Sequence, residues 1–220
     1  MKKSKLIYNI GMKRSKSHIV KEYGDDFYKN FNRISLEVVN EVTTNMPDIG
    51  NTIFSFNYEF APTYIAWYKA SKELGLSEKE TEKLLWLVNE QLITIIPKLF
   101  MKLFITSYLN NFRNKAKKHE KLMQENRLHP YDWIIKYREV NESIFEIDIY
   151  ECGIMKLAKD FDSLGIVPTM CRVDYMLSNY MGAGFERTKT LGDGDDCCNC
   201  RYIIGGSCEW SPEKGFIDRK

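Results

Sequence analysis

The sequence predicts an α+β fold: a helical N-terminal part followed by a small antiparallel sheet with helices, ending in a cysteine-rich β-hairpin. Three observations predict it. Apolar residues recur at helical spacing through the first 126 positions, strict alternation appears at 144–151, and an Asp-Gly turn separates two β-rich stretches near the end. The expected division is a helical part over 1–126 and an α+β part over 127–220 within one compact unit.

The basic start MKKSKLIYNIGMKRSKSH has no signal-peptide apolar run and reads as a solvated arm. Ser17 or Asp25 caps a helix with Phe27, Phe31, Ile34, Val38 and Val42 on one face, and Met46-Pro47 stops it. A second helix is expected from Pro62 to Gly75, and Ser77 with Glu80 forms a capping box opening a third. Pro97 kinks or splits that third helix. Leu92–Ile105 is too short and too often interrupted to span a bilayer and reads as a buried helix, and the chain beyond it becomes a basic, solvated helix end. Residues 133–140 and 144–151 read as strands, and 152–164 returns to helical spacing. Pro168 opens a further helix that ends at Gly182 or Gly184. Residues 185–191 and 197–204 read as strands of a hairpin turning at Asp193-Gly194.

Lys+Arg 32 against Asp+Glu 30 is too balanced for a general nucleic-acid binder, although residues 1–35 hold nine Lys or Arg against three Asp or Glu. All six cysteines lie in the last third, at 152, 171, 197, 198, 200 and 208. Without an export signal a cytoplasmic protein with reduced thiols is expected, so the cluster points to chemistry more than to stapling. Cys197-x-x-Cys200 has metal-knuckle spacing, but no second such pair and no nearby His completes a zinc site, so no metal is expected. His18, His119 and His129 lie outside the cysteine-rich part and read as surface histidines.

Cys171 falls one turn into the helix that Pro168 opens, where free N–H groups favour a thiolate, and Asp174 shares its face. That carboxylate opposes the thiolate unless Arg187 or Arg201 neutralises it. Either Cys171 or Cys198 is a candidate nucleophile, with Asp174 as base. Arg187, Thr188, Thr190 and Arg201 flank the acidic turn, and the arginines suit a substrate carboxylate.

These residues carry a resemblance. Glu151-Cys152, Cys171-x-x-Asp174-Tyr175, Arg187-Thr188-x-Thr190-Leu191 and Gly194-x-Asp196-Cys197-Cys198, with Arg201-Tyr202, resemble the L-2-amino-thiazoline-4-carboxylic acid hydrolase family. The resemblance implies hydrolytic opening of a cyclic amidine to an N-carbamoyl-L-cysteine-type product. It implies a small-molecule substrate, no nucleic-acid or membrane partner and no cofactor, and leaves a homo-oligomer open. The family pattern expected after the double cysteine is Asp-Phe-Arg, where this chain has Asn199 and Cys200. That departure, with the surplus of thiols, keeps a non-catalytic small-molecule-binding or redox-sensing module as the alternative.

Overall fold

The computed structural model describes residues 3–211. Five helices come first: α1 (Lys3–Tyr23), α2 (Asp25–Asn45), α3 (Ser55–Glu73), α4 (Glu78–Ile93) and α5 (Lys98–Gln124). Strands β1 (Ile134–Asn141) and β2 (Ile144–Glu151) follow as a hairpin. Then come α6 (Gly153–Asp160), α7 (Val167–Met181), β3 (Gly184–Glu186) and β4 (Cys198–Ile203). The sheet is antiparallel throughout, in the order β1-β2-β4-β3. The architecture is therefore α+β, as the alternation and the helical periods predict.

Where local chemistry is decisive, the elements match their signals. Ser77 Oγ accepts from the Glu80 N–H and the Glu80 carboxylate accepts from the Ser77 N–H, closing the capping box of α4. Phe31, Ile34 and Val42 of α2 are buried at their expected spacing, and the helix ends at Asn45 before Met46-Pro47. Pro168 stands in the first turn of α7, and Gly182 ends it in the left-handed conformation at φ 76°.

Tertiary packing overrides local signals elsewhere. The basic start is no solvated arm: it is α1, with Tyr8, Met12 and Ile19 buried. Its buried face mixes small and apolar residues at helical spacing, Ser4, Tyr8, Gly11, Met12, Ser15 and Ile19, while Lys3, Lys13, Lys16 and Lys21 stay exposed. Helix α3 begins seven residues before Pro62, which sits inside it, because burial of Tyr64, Ile65, Ala66 and Trp67 outweighs one missing hydrogen bond.

Leu92–Ile105 is not a buried helix. The chain breaks at Pro97, α4 and α5 diverge by 87°, and the first turns of α5 swing off the core. Leu99 is 70% exposed and Leu103 68%, while Ile105 and Leu109 are the side chains that pack inward. No single described helix is long and apolar enough to cross a membrane. The basic end of α5 is only partly solvated: Arg113 is nearly buried, pairs with Glu139 at 3.3 Å and donates to the Glu142 carbonyl at 2.9 Å. His119 is likewise no surface histidine. It is 2% exposed, with Nε2 2.9 Å from the Trp133 carbonyl.

The expected tight hairpin is a wider excursion. β3 and β4 pair only from Gly184↔Ile203 to Glu186↔Arg201, and residues 187–197 form a loop with a 3-10 turn at Leu191–Asp193. Gly194 supplies the left-handed residue that closes this turn, at φ 89°.

One apolar core runs from Tyr8 in α1 to Cys200 in β4. Trp133 lies at its junction, with ring centroids 5.1 Å from Phe54 and 6.1 Å from Tyr58. Gly153, the first residue of α6, passes so close that a Cβ would stand 2.3 Å from the Tyr131 carbonyl oxygen and 2.8 Å from the Trp133 ring. Neither obstacle is the free end of a flexible chain. Gly153→Ala is expected to lower stability by about 1–3 kcal/mol, read as a reduced urea midpoint with unchanged slope. An alanine variant with the wild-type midpoint would contradict this packing.

Candidate active site

The β2–β4 register sorts the cysteines by face. Cys198 lies opposite Ile149 and Cys200 opposite Ile147, so both sulfurs point inward toward α7. Asn199 and Arg201 lie opposite Asp148 and Glu146 and belong to the outer face.

Helix α7 brings Cys171 and Asp174 to the inner face. Cys171 Sγ is hydrogen-bonded to the Cys198 thiol, joining two residues that the sequence separates by most of a helix and a loop. The pair is asymmetric. The Cys198 hydrogen bond, helped by the Arg187 and Arg172 charges, brings the Cys171 thiol down to about 7 against the opposing effects of burial and Asp174. Cys198, donating to Cys171 and buried, is pushed up strongly and keeps its proton. The Leu191 N–H points at Cys198 Sγ from 3.2 Å and helps fix it.

The helix-start explanation for Cys171 is corrected here. A 3-10 turn at Leu164–Ile166 runs straight into α7, and Cys171 stands on the second turn, beyond the free N–H groups. The partner thiol and an arginine do what the helix terminus was expected to do. The other thiols contrast with it: burial pushes Cys152 and Cys200 up to about 12 and also raises Cys197.

Arg187 enters just after β3 and turns inward, its side chain 1% exposed. One guanidinium nitrogen donates to Asp174 Oδ2 at 2.8 Å and another to the Cys171 carbonyl at 2.6 Å. The Tyr175 and Phe185 rings lie 5.4 and 5.3 Å from the guanidinium carbon. The Tyr175 hydroxyl donates to the Arg187 carbonyl at 2.9 Å. Of the two arginines considered for Asp174, Arg187 is the partner. Burial raises the Asp174 carboxyl and Arg187 holds it back, while 39% of that side chain stays open to solvent.

Thr190 is fully buried and serves the loop. Its hydroxyl accepts from the Asp193 N–H and donates to Asp193 Oδ2 at 3.0 Å. Arg172, 2% exposed and beside Cys171 in sequence, clamps the same Oδ2 at 2.6 Å. This buried Arg172–Asp193 pair was not foreseen from the sequence. Its only signal is an arginine within the apolar stretch Met170-Cys171-Arg172-Val173.

Thr188 and Arg201 belong to the outer side of the sheet, away from Cys171 and Cys198. Arg201 Nη1 pairs with Glu146 at 2.8 Å and its Nε faces Glu186 at 3.6 Å, extending an outer-face ladder Arg138–Glu146–Arg201–Glu186 across four strands. A polar recess of about 230 Å³ lies over this ladder, lined by Arg138, Asp148, Thr188 and Arg201 and reached also by Arg187 and Cys200. Asn199 Oδ1 accepts from the Thr188 and Lys189 N–H groups at 3.0 and 2.7 Å, while its Nδ2 donates to Thr188 Oγ1. An aspartate would accept the same two backbone bonds, so Asn199 preserves the turn's geometry. Among the described residues no three His, Cys, Asp or Glu side chains converge as a metal-holding group.

A family model described as L-2-amino-thiazoline-4-carboxylic acid hydrolase matches residues 57–202, which span α3 to β4 and contain every residue of this site. No curated protein matches the chain. Among solved structures, the Fe(II) unliganded H-NOX protein from K. algicida is 13% identical, covering 94% of this chain and 98% of its own, with a TM-score of 0.34. A second solved structure, "Probing the function of heme distortion in the H-NOX family", is 15% identical over 96% of this chain and 98% of its own, at the same TM-score.

Proposed function

Because the chain belongs to the L-2-amino-thiazoline-4-carboxylic acid hydrolase family, we propose that it hydrolyses a small cyclic amidine of the 2-amino-thiazoline-4-carboxylate type, with Cys171 as nucleophile. The observation that carries this reading is the asymmetric thiol pair beside Arg187. One sulfur is held as a thiolate near neutrality and its neighbour is held protonated. Ring opening by carbon–sulfur cleavage needs both forms at once.

The Cys171 thiolate adds to the carbon between nitrogen and sulfur, and the ring carbon–sulfur bond breaks. The departing sulfur takes the Cys198 proton and becomes the product thiol. Water then adds to the same carbon, which now carries Cys171. The bond to Cys171 breaks, one water proton returns to Cys198 and the other stays on nitrogen. The carbonyl of an N-carbamoyl-cysteine is left, and one water has been consumed. Arg187 supplies positive potential beside the nucleophile and toward a substrate carboxylate. Asp174, tied to Arg187, orients it and faces solvent, where it can receive and release protons. Thr188 and Arg201, on the outer face, do not enter this mechanism, and Thr190 acts by shaping the loop behind Cys198. The cycle needs both sulfurs reduced, as in a cytoplasmic setting.

The test is turnover of 2-amino-thiazoline-4-carboxylate, followed by appearance of the free product thiol. The expected kcat/KM rises with pH and reaches half its plateau near pH 7, because the thiolate is the reacting form and its thiol is brought down to about 7. Thermal stabilisation by the compound with no product would overturn the reading in favour of a binding module.

A further inference from the structure

We infer that Cys171 and Cys198 are an oxidative modification site, closing into a reversible disulfide when a hydroperoxide reaches Cys171. The two sulfurs come from different elements, α7 and β4, and converge on one turn: the Leu191 N–H lies 3.2 Å from Cys198 Sγ, and a Cβ on the adjacent Gly192 would stand 3.2 Å from Cys171 Sγ. Both are free thiols.

The surroundings favour this pair over the alternatives. Cys171 is half-buried and lies one helical turn from the solvent-facing Asp174, so a small oxidant can reach it. Cys198 is buried and held by the Leu191 N–H, so it meets the oxidant only through Cys171. Cys200, the other inward sulfur, is buried and engaged by the Arg187 side chain. The loop behind the pair is pinned by Arg172–Asp193 and Thr190–Asp193, and Gly192 approaches so closely that a Cβ there would stand 3.2 Å from Cys171 Sγ.

The chemistry balances with hydrogen peroxide as the oxidant. The Cys171 thiolate attacks one peroxide oxygen, the O–O bond breaks, and with one proton a water leaves, so Cys171 becomes a sulfenic acid. The Cys198 sulfur then displaces that hydroxyl, a second water leaves, and the S–S bond forms. Two thiols lose two electrons and two protons, and one peroxide becomes two waters. Two thiols from a dithiol reductant reverse it. Regulation of turnover by this bond rests on the hydrolase reading above, whereas the bond itself does not.

The experiment exposes the reduced protein to one equivalent of hydrogen peroxide, blocks remaining thiols with iodoacetamide and maps peptides without reduction. The expected result is a Cys171–Cys198 linked peptide, lighter by two hydrogens than the two thiol peptides and abolished by dithiothreitol. Cys198→Ser is expected to remove the link and drive Cys171 on to sulfinic acid, whereas Cys208→Ser leaves the link intact. No cross-link in the wild-type protein, or one joining Cys171 to Cys200 or Cys198 to Cys200, overturns the inference. Turnover measured on the same samples separates the two readings. A link that leaves turnover unchanged refutes Cys171 as nucleophile while the modification site stands, and turnover without a link refutes only the modification site.

Discussion

Cys171→Ser lowers kcat/KM for 2-amino-thiazoline-4-carboxylate by on the order of 10³-fold or more. A serine hydroxyl in the same place meets the same partners, but its pKa lies far too high for Cys198 and Arg187 to ionise it near neutrality. Cys198→Ala separates the two roles of the pair. It removes the proton donor for the departing sulfur, a general-acid loss of roughly 10²-fold. It also removes the largest influence holding Cys171 down. The sign follows directly: losing a hydrogen bond to the thiolate disfavours that form, so the ascending limb moves from near pH 7 toward the ordinary thiol value of 9.0. Alkylation of Cys171 by iodoacetamide, followed by mass spectrometry against pH, moves the same way without needing turnover. Retention of more than a tenth of wild-type kcat/KM by Cys171→Ser would sink its role as nucleophile.

What could be read in the sequence was what is local. The Ser77–Glu80 capping box, the period of α2, the alternation from Phe145 to Ile149, and Pro168 with Gly182 at the ends of α7 each depend on neighbours within four residues. α1 escaped because its buried face includes serines, Ser4 and Ser15, and shows little amphipathic contrast. Pro62 and Leu92–Ile105 misled for a shared reason. Whether a proline breaks a helix, or an apolar run is covered, depends on which element packs there. The site divides along the same line. The spacing of Cys171 and Asp174 on one face was readable, and so was the need for an arginine beside Asp174. The choice of Arg187 over Arg201 was not, since it depends on which face of the sheet each occupies once β3 ends at Glu186 and the chain leaves the ladder. Nor was the contact of Cys171 with Cys198, which exists only when β4 docks beneath α7.

Arg187→Met is expected to destabilise the fold by about 2–4 kcal/mol and to raise the Cys171 thiol. Methionine fills much of the volume between Tyr175 and Phe185, so the loss is of charge and hydrogen bonds more than of packing. Removing one partner of a buried pair usually costs about 3–5 kcal/mol, because the other charge is left uncompensated. Asp174 keeps 39% of its side chain in water, which softens that penalty and places the effect toward the lower end. The pH dependence has a definite sign. Burial already raises the Asp174 carboxyl, and without Arg187 it rises further, so the variant holds an unfavourable carboxylate above that value and relieves it by protonation below. Cys171 adds in the same direction. Its depressed thiol contributes stability fully above the ordinary value of 9.0 and loses it as pH falls through about 7, and that contribution shrinks without the guanidinium. The gap between wild type and variant in urea unfolding is therefore wider at pH 8 than at pH 5. Arg187→Lys keeps the charge but not the fork that reaches both Asp174 and the Cys171 carbonyl. It should restore much of the thiol acidity and little of the stability. A Met variant within about 0.5 kcal/mol of wild type at both pH values would mean that Asp174 and Cys171 do not depend on Arg187.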